Sequence, residues 1–234
     1  MIIGFFNVYK EKGMTSAAAV GKLKRILRQK GLGHMGTLDP MAEGVLPIAA
    51  GRPATKMFDL LRAKKKEYAA EFTFGILTDT LDTTGKITAE GGHVPSEAEI
   101  RAVLPRFLGR ISQLPPDYSA KSVGGVRAYD LARRGAETNL KPVEIKIYEY
   151  ELTGNKGGGV FGFRILCGGG TYIRALARDL GTALGTHCVM SALTRTKSGC
   201  FTVEDARTLK EIEENPEAAV VGVEKVREEL TDEK

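Results

Sequence analysis

The sequence predicts an α+β fold built on a largely antiparallel sheet. Strand-like and helix-like stretches are intermixed without a regular βαβ rhythm, which argues against a doubly wound parallel sheet. The segment KKKEYAAEFTFG (64–75) alternates apolar and polar residues, as a strand with one buried face does. There is no internal repeat and no low-complexity linker to divide the chain into an array.

Residues 2–9 read as a strand. Thr15 or Ser16 then opens a helix in which Val20, Leu23, Ile26 and Leu27 keep helical spacing, while Lys22, Lys24, Arg25, Arg28 and Lys30 take the other face. GHMGTLDPMAEG (33–44) is a kinked loop and GVLPIAAG (44–51) a buried strand. PATKMFDLLR (53–62) is a helix with Pro53 in its first turn. In 64–75, Tyr68, Ala70, Phe72 and Phe74 share one face. TDTLDTTGK (78–86) is polar and turn-rich, and SEAEIRAVLPRFLG (96–109) is a short helix. PPDYSAKSVGGVRAYDLARRG (115–135) reads as a strand, a glycine turn and a basic helix. Strands follow at 143–152 and 160–167. TYIRALARDLGTALG (171–185) is a helix with Ile173, Leu176, Ala177, Leu180 and Leu184 turned inward. A strand at 187–197 and acidic helices close the chain.

Apolar residues at 42% and charged residues at 27% suit a globular protein with one substantial core. No apolar run approaches the roughly 18 residues of a membrane span. The N-terminus lacks a basic segment and a small-residue cleavage site, so secretion is not expected. Cys167, Cys188 and Cys200 are far apart without a C-x-x-C, and His34, His93 and His187 lack metal-ligand spacing. A reducing cytosol and no structural zinc are expected. Residues 204–234 carry 11 acidic and 5 basic side chains, whereas residues 1–203 carry 29 basic and 18 acidic. A basic body with an acidic tail is what binding to a polyanion asks for, although a solvated basic surface has the same composition.

Asp39 stands out within the 33–44 loop. Pro40 biases it toward extended backbone and Gly36 permits a close approach upstream, so its carboxylate is held outward at a fixed angle. Asp-Pro is also ordinary turn chemistry. No phosphate-cradling G-x-x-x-x-G-K-[ST] follows, and only Glu43 lies near enough in sequence to act as a second acid.

GHMGTLDPMAEGVLPIAAGRPATK (33–56) resembles the signature segment of the tRNA pseudouridine synthase B family. The resemblance continues in order through NVYKEKGMTS (7–16), KKKEYAAEFTFGILTDTLDTTG (64–85), PDYSAKSVGGVRAYDLARRG (116–135), GGGTYIRALARDLG (168–181) and SALTRTKSGCF (191–201). Glu11 stands where the family has proline, and Ser122 occupies the position of its usual lysine, beside Lys121. The resemblance implies a pseudouridine synthase fold, with a mixed sheet flanked by helices and RNA-binding loops. It also implies isomerisation of uridine to pseudouridine at position 55, in the TΨC loop of tRNA, on a flipped base and without a cofactor or metal. It makes Asp39 the nucleophile, Arg174 its ion-pair partner and Tyr68 the aromatic on the flipped base. His34 occupies the space that the base vacates, and Leu193 walls the uracil pocket. Gly36, Thr37 and Lys121 join the substrate-binding set.

From the residues alone, Tyr68 and Leu193 also fit as core, and Arg174 as a surface arginine. A carboxylate can attack C1′ or C6, or assist elimination at the sugar, and the residues do not choose among these routes. Lys22, Lys24, Arg25, Lys64, Lys65, Lys66, Lys121, Arg127, Arg133 and Arg134 are candidates for contacts to the RNA backbone. The expectation is a cytoplasmic monomer with tRNA as its partner and no obligatory protein partner. Residues 1–203 form the catalytic domain. Residues 204–234 form an acidic helical extension, too short for the usual C-terminal RNA-binding domain. An RNA-binding module without catalysis, and a metabolic enzyme binding a small phosphate, are the rival readings.

Overall fold

The computed structural model describes residues 1–119, 121–123 and 125–232, with the backbone alone at Ser122, Val123, Arg127 and Asp232. In chain order the elements begin with β1 (Gly4–Lys10), α1 (Ser16–Ile26), β2 (Leu32–His34), β3 (Glu43–Ala50), α2 (Arg52–Thr55), α3 (Phe58–Ala63) and β4 (Lys66–Phe74). A hairpin of β5 (Ile76–Thr78) and β6 (Ile87–Glu90) follows, then α4 (Glu97–Val103), β7 (Gly109–Gln113), the pair β8 (Ser122–Val123) and β9 (Val126–Arg127), and α5 (Ala128–Arg133). The chain ends with β10 (Val143–Gly157), β11 (Val160–Cys167), α6 (Ile173–Ala183), β12 (Cys188–Ser198), β13 (Phe201–Thr202), α7 (Leu209–Glu214), β14 (Val220–Val221) and α8 (Val223–Asp232). The fold is α+β. It divides into two units, one of residues 1–69 with those from Leu193 on, the other of Ala70–Ala192. Strands β4 and β12 pass from one unit to the other along the chain.

In the first unit the strand order is β14-β1-β3-β12-β4, with β2 added to β3 and β13 to β12. β1 and β3 run antiparallel from Gly4↔Ala50 to Lys10↔Gly44, whereas β12 joins β3 in parallel through Thr194↔Glu43 and Arg195↔Gly44. That parallel junction makes the sheet mixed. α1 starts where the Thr15 side chain accepts a hydrogen bond from the Ala18 N–H at 3.0 Å, and it buries Ala19, Val20 and Leu23. Phe5, Val45, Ala49, Met57, Leu61 and Phe201 form a core cluster that also takes in Val226 and Leu230 of α8.

The helix expected over 53–62 is two helices, broken at Lys56 and Met57. The Met57 N–H reaches back to the Ala54 carbonyl at 3.0 Å, and Ala54, Met57 and Leu61 all enter the core.

In the second unit the order is β12-β4-β11-β10-β7. Its core is a chain of rings, Phe72 to Phe163 at 4.7 Å, Phe163 to Tyr150 at 5.6 Å and Tyr150 to Phe107 at 5.9 Å between centroids. α6 buries Ile173, Leu176, Ala177 and Leu180 as its periodicity requires.

Candidate active site

The Asp39 loop leaves β2 at His34, which pairs with Ile48 of β3, and the Met35 N–H extends that ladder to the Pro47 carbonyl at 2.8 Å. The backbone then turns at Gly36, whose φ of +134° lies in a region that favours glycine. From Gly36 to Pro40 every carbonyl is anchored. Arg195 donates from Nη2 to the Gly36 oxygen at 3.2 Å and from Nη1 to the Thr37 oxygen at 3.4 Å, while its Nε holds the Val45 oxygen at 2.7 Å. Ser16 Oγ donates to the Leu38 oxygen and accepts from the Leu38 N–H, both at 2.9 Å. The Asp39 carbonyl accepts from Ala42 N–H at 3.1 Å. The Pro40 carbonyl accepts from Gly13 N–H at 2.8 Å and from Lys10 Nζ at 3.4 Å. Met35, Leu38, Met41 and Ala42 are buried beneath, which leaves Thr37 exposed and the Asp39 side chain half-buried.

Three buried cations back this loop. Lys10 is wholly buried at the end of β1, and its ammonium also donates to the Met14 oxygen at 2.6 Å and the Glu11 oxygen at 3.1 Å. Burial pulls its pKa down; the charges of Asp39 and Glu43 act upward and that of Arg195 downward, leaving it at about 8. Arg195 is 1% exposed. Lys66, expected as a surface contact to RNA, is buried instead, its ammonium donating to the Arg62 and Lys64 carbonyls at 2.9 Å each. Its alternation in β4 places it on the same inward face as Tyr68, away from the outer surface of the strand.

His34 is half-buried. Burial, and then the Arg195 charge, lower its pKa, so its imidazole is neutral at physiological pH. Its Nδ1 is buried without a hydrogen-bond partner among the described residues. Tyr68 on β4 and Leu193 on the adjacent β12 are both buried.

The other candidates lie in the second unit. Arg174 is 5% exposed in the first turn of α6, not on the surface. It donates to the Thr80 oxygen at 2.7 Å and the Tyr118 oxygen at 2.8 Å, and its Nε lies 3.8 Å from Asp82 Oδ2. Asp82 in turn accepts through Oδ1 from Thr80 Oγ1, Thr84 N–H and Thr84 Oγ1, at 2.8, 2.9 and 2.5 Å. The polar stretch TDTLDTTG is therefore a knotted turn centred on a buried carboxylate. Lys121 is half-exposed, and its carbonyl accepts from Ala128 N–H at 2.7 Å. The side chains of Ser122 and Arg127 lie outside the described residues.

Lys10 and Arg195 are the two residues that sequence reasoning missed. Each ends or interrupts an apolar strand, at GFFNVYK and in SALTR, and a charge placed there on a buried strand was the available signal. Among the described residues no group of three or more His, Cys, Asp or Glu side chains is arranged to hold a metal ion. Among the described residues no helix is long and apolar enough to cross a membrane.

Comparison with known proteins places this mixed-sheet α+β chain among RNA-modifying enzymes. Residues 24–173 match the N-terminal domain of the TruB family of pseudouridylate synthases, and residues 174–230 match the C-terminal domain of tRNA pseudouridylate synthase B. The chain belongs to the TruB family and is a pseudouridine synthase. It is 43% identical over 93% of its length to the tRNA pseudouridine synthase B of Acaryochloris marina, covering 75% of that protein. It is 44% identical over 94% of its length to that of Bacillus pumilus, covering 73%. Among solved structures it resembles a chain of a Cbf5-Nop10-Gar1 complex (TM-score 0.75, 31% identity, 97% of this chain). It also resembles a chain of an H/ACA RNP bound to a substrate RNA containing 2′-deoxyuridine (TM-score 0.72, 30% identity, 97% of this chain). It spans only 62% and 61% of those two chains.

Proposed function

We propose that this enzyme isomerises uridine to pseudouridine at position 55 in the TΨC loop of tRNA, with Asp39 as the nucleophile. The observation that carries the reading is the Asp39 loop itself, five consecutive carbonyls each held by a hydrogen bond over buried Lys10 and Arg195. Such a loop fixes the carboxylate before substrate arrives, and preorganisation of this kind lowers a barrier without reorganisation during the reaction. The names of the relatives favour tRNA as the substrate.

The reaction breaks the N1–C1′ bond, forms a C5–C1′ bond and moves the C5 proton to N1. It balances internally and needs no oxidant or external group. Asp39 supplies the electron pair, at C1′ or C6, or as the base of an elimination at the sugar. The base has to leave its stack, at a cost of a few kcal/mol that is smaller in a loop. Tyr68 offers a ring on which it stacks, Leu193 an apolar wall, and neutral His34 a flat group to take the vacated space. Gly36 and Thr37 let RNA approach the loop backbone, and Lys121 meets a phosphate. Arg174 is required for turnover.

Asp39→Asn keeps the shape and removes the charge. Unmodified tRNA carrying tritium at C5 of its uridines should release tritium with the wild-type protein and not with this variant. Arg174→Ala should lose most of its single-turnover rate in the same assay. Release at the wild-type rate by Asp39→Asn would overturn the reading.

A further inference from the structure

The first unit carries an open groove of about 530 Å³ between the loop after β1, α1 and α7. Lys22, Arg25 and Arg28 line it from α1 and the turn that ends it, Lys210 from α7, and Glu11 and Glu213 from its two sides. We infer that this groove is a docking site for the phosphodiester backbone of the RNA substrate, outside the loop that holds the reacting uridine. The inference rests on the proposed function for the identity of the RNA.

Four observations lead there. First, none of the four cations makes an ion pair among the described residues, although two carboxylates line the same groove. Charges left available beside possible partners suit an external anion. Second, Lys22 and Arg25 lie three residues apart on α1, about 4.5 Å along its axis, and Arg28 follows in the turn that ends it. A row of charges matches a polymer of phosphates better than a single small anion.

Third, Arg28 occupies a position that ordinarily takes glycine. α1 ends in a Schellman turn, with Arg28 N–H on the Arg25 oxygen and Gln29 N–H on the Lys24 oxygen, both at 3.1 Å. Arg28 sits at the left-handed residue of that turn with φ of +46°, a conformation that glycine adopts without steric cost. An arginine here strains the backbone and places its charge on the groove. The dipole at the end of α1 attracts Arg25 and Arg28, but it does not account for Lys22, a turn earlier, or for Lys210 on another helix. Fourth, the groove is joined to the Asp39 loop. Met14 lines it, and the ammonium of Lys10 that holds the Met14 carbonyl also holds that of Pro40.

The test is filter binding of a full-length unmodified tRNA transcript and of an isolated T-loop hairpin, each over a salt series, with Arg28→Gly and Lys22→Gln/Arg25→Gln. Arg28→Gly relieves the turn, so its melting temperature should equal or exceed that of wild type, and weaker binding could not come from unfolding. For full-length tRNA the slope of log affinity against log salt should become shallower by about 1 for Arg28→Gly and about 2 for the double variant. The isolated hairpin should show no such change. Slopes identical to wild type on full-length tRNA would overturn the inference. So would saturable binding of a mononucleotide in the groove that these variants abolish while tRNA binding stays intact. Should wild-type protein bind tRNA yet form no pseudouridine, the proposed function fails, and the slopes still decide the groove.

Discussion

Lys10 shows what the Asp39 loop costs and gains at single residues. Its ammonium is fully buried and satisfied by three carbonyls, one of them in the Asp39 turn. The folded protein holds that proton with a pKa of about 8, below the ordinary lysine value of 10.5. Between those two values the unfolded chain binds more protons than the folded one, so stability rises with pH across that window. The burial penalty is present in full below about pH 8 and is relieved toward pH 10.5. Denaturant titrations of Lys10→Met should lose this rise; an unchanged pH profile would show that Lys10 keeps an ordinary pKa. Tyr68 separates stacking from chemistry. Tyr68→Phe keeps the ring, worth about 1–3 kcal/mol against a base, and should bind tRNA as wild type while losing single-turnover activity. Equal turnover would remove the hydroxyl from the reaction.

At the scale of elements, the site depends on where β3 and β12 meet. Their parallel contact brings the Arg195 backbone against Gly44, where a Cβ would lie 2.4 Å from the Arg195 carbonyl oxygen. Gly44 also has φ of +99°. Gly44→Ala therefore clashes and adds backbone strain on the order of 1–3 kcal/mol. It should lower the melting temperature and, by moving Arg195, loosen the carbonyls at Gly36 and Thr37. A variant that melts with wild type would show that the two strands part freely. α6 places a cation against its own dipole at Arg174, an arrangement that costs roughly 0.3–1 kcal/mol. Two carbonyls and the Asp82 carboxylate offset it within the second unit.

For the whole molecule the charge pattern sets the expected behaviour. The basic body of residues 1–203 should bind tRNA with an affinity that falls steeply with salt, by a log–log slope of about −0.9 for each phosphate neutralised. A flat salt response would show that the body's charge does not dock the substrate. The acidic final segment does not hang free of the fold. Val226 and Leu230 of α8 sit in the first unit's core, and Leu230 accepts a hydrogen bond from the Lys64 ammonium. A helix can be acidic outside and still be needed inside, because only one of its faces enters the core.

The α+β class, most strand and helix positions and the whole resemblance to the TruB family were legible in the chain, since apolar period and local motifs are properties of neighbours in sequence. So was the prominence of Asp39, through Gly36 and Pro40. What neighbours in sequence do not encode is which distant groups meet. The break at Lys56 and Met57 has no glycine or proline at it to announce it, and the hairpin around TDTLDTTG closes on Asp82 without any apolar alternation. Above all, the anchoring of residues 36–40 comes from Lys10, Ser16 and Arg195, contributed by three separate stretches of chain. Only folding brings them under one loop, where buried carbonyls must find donors.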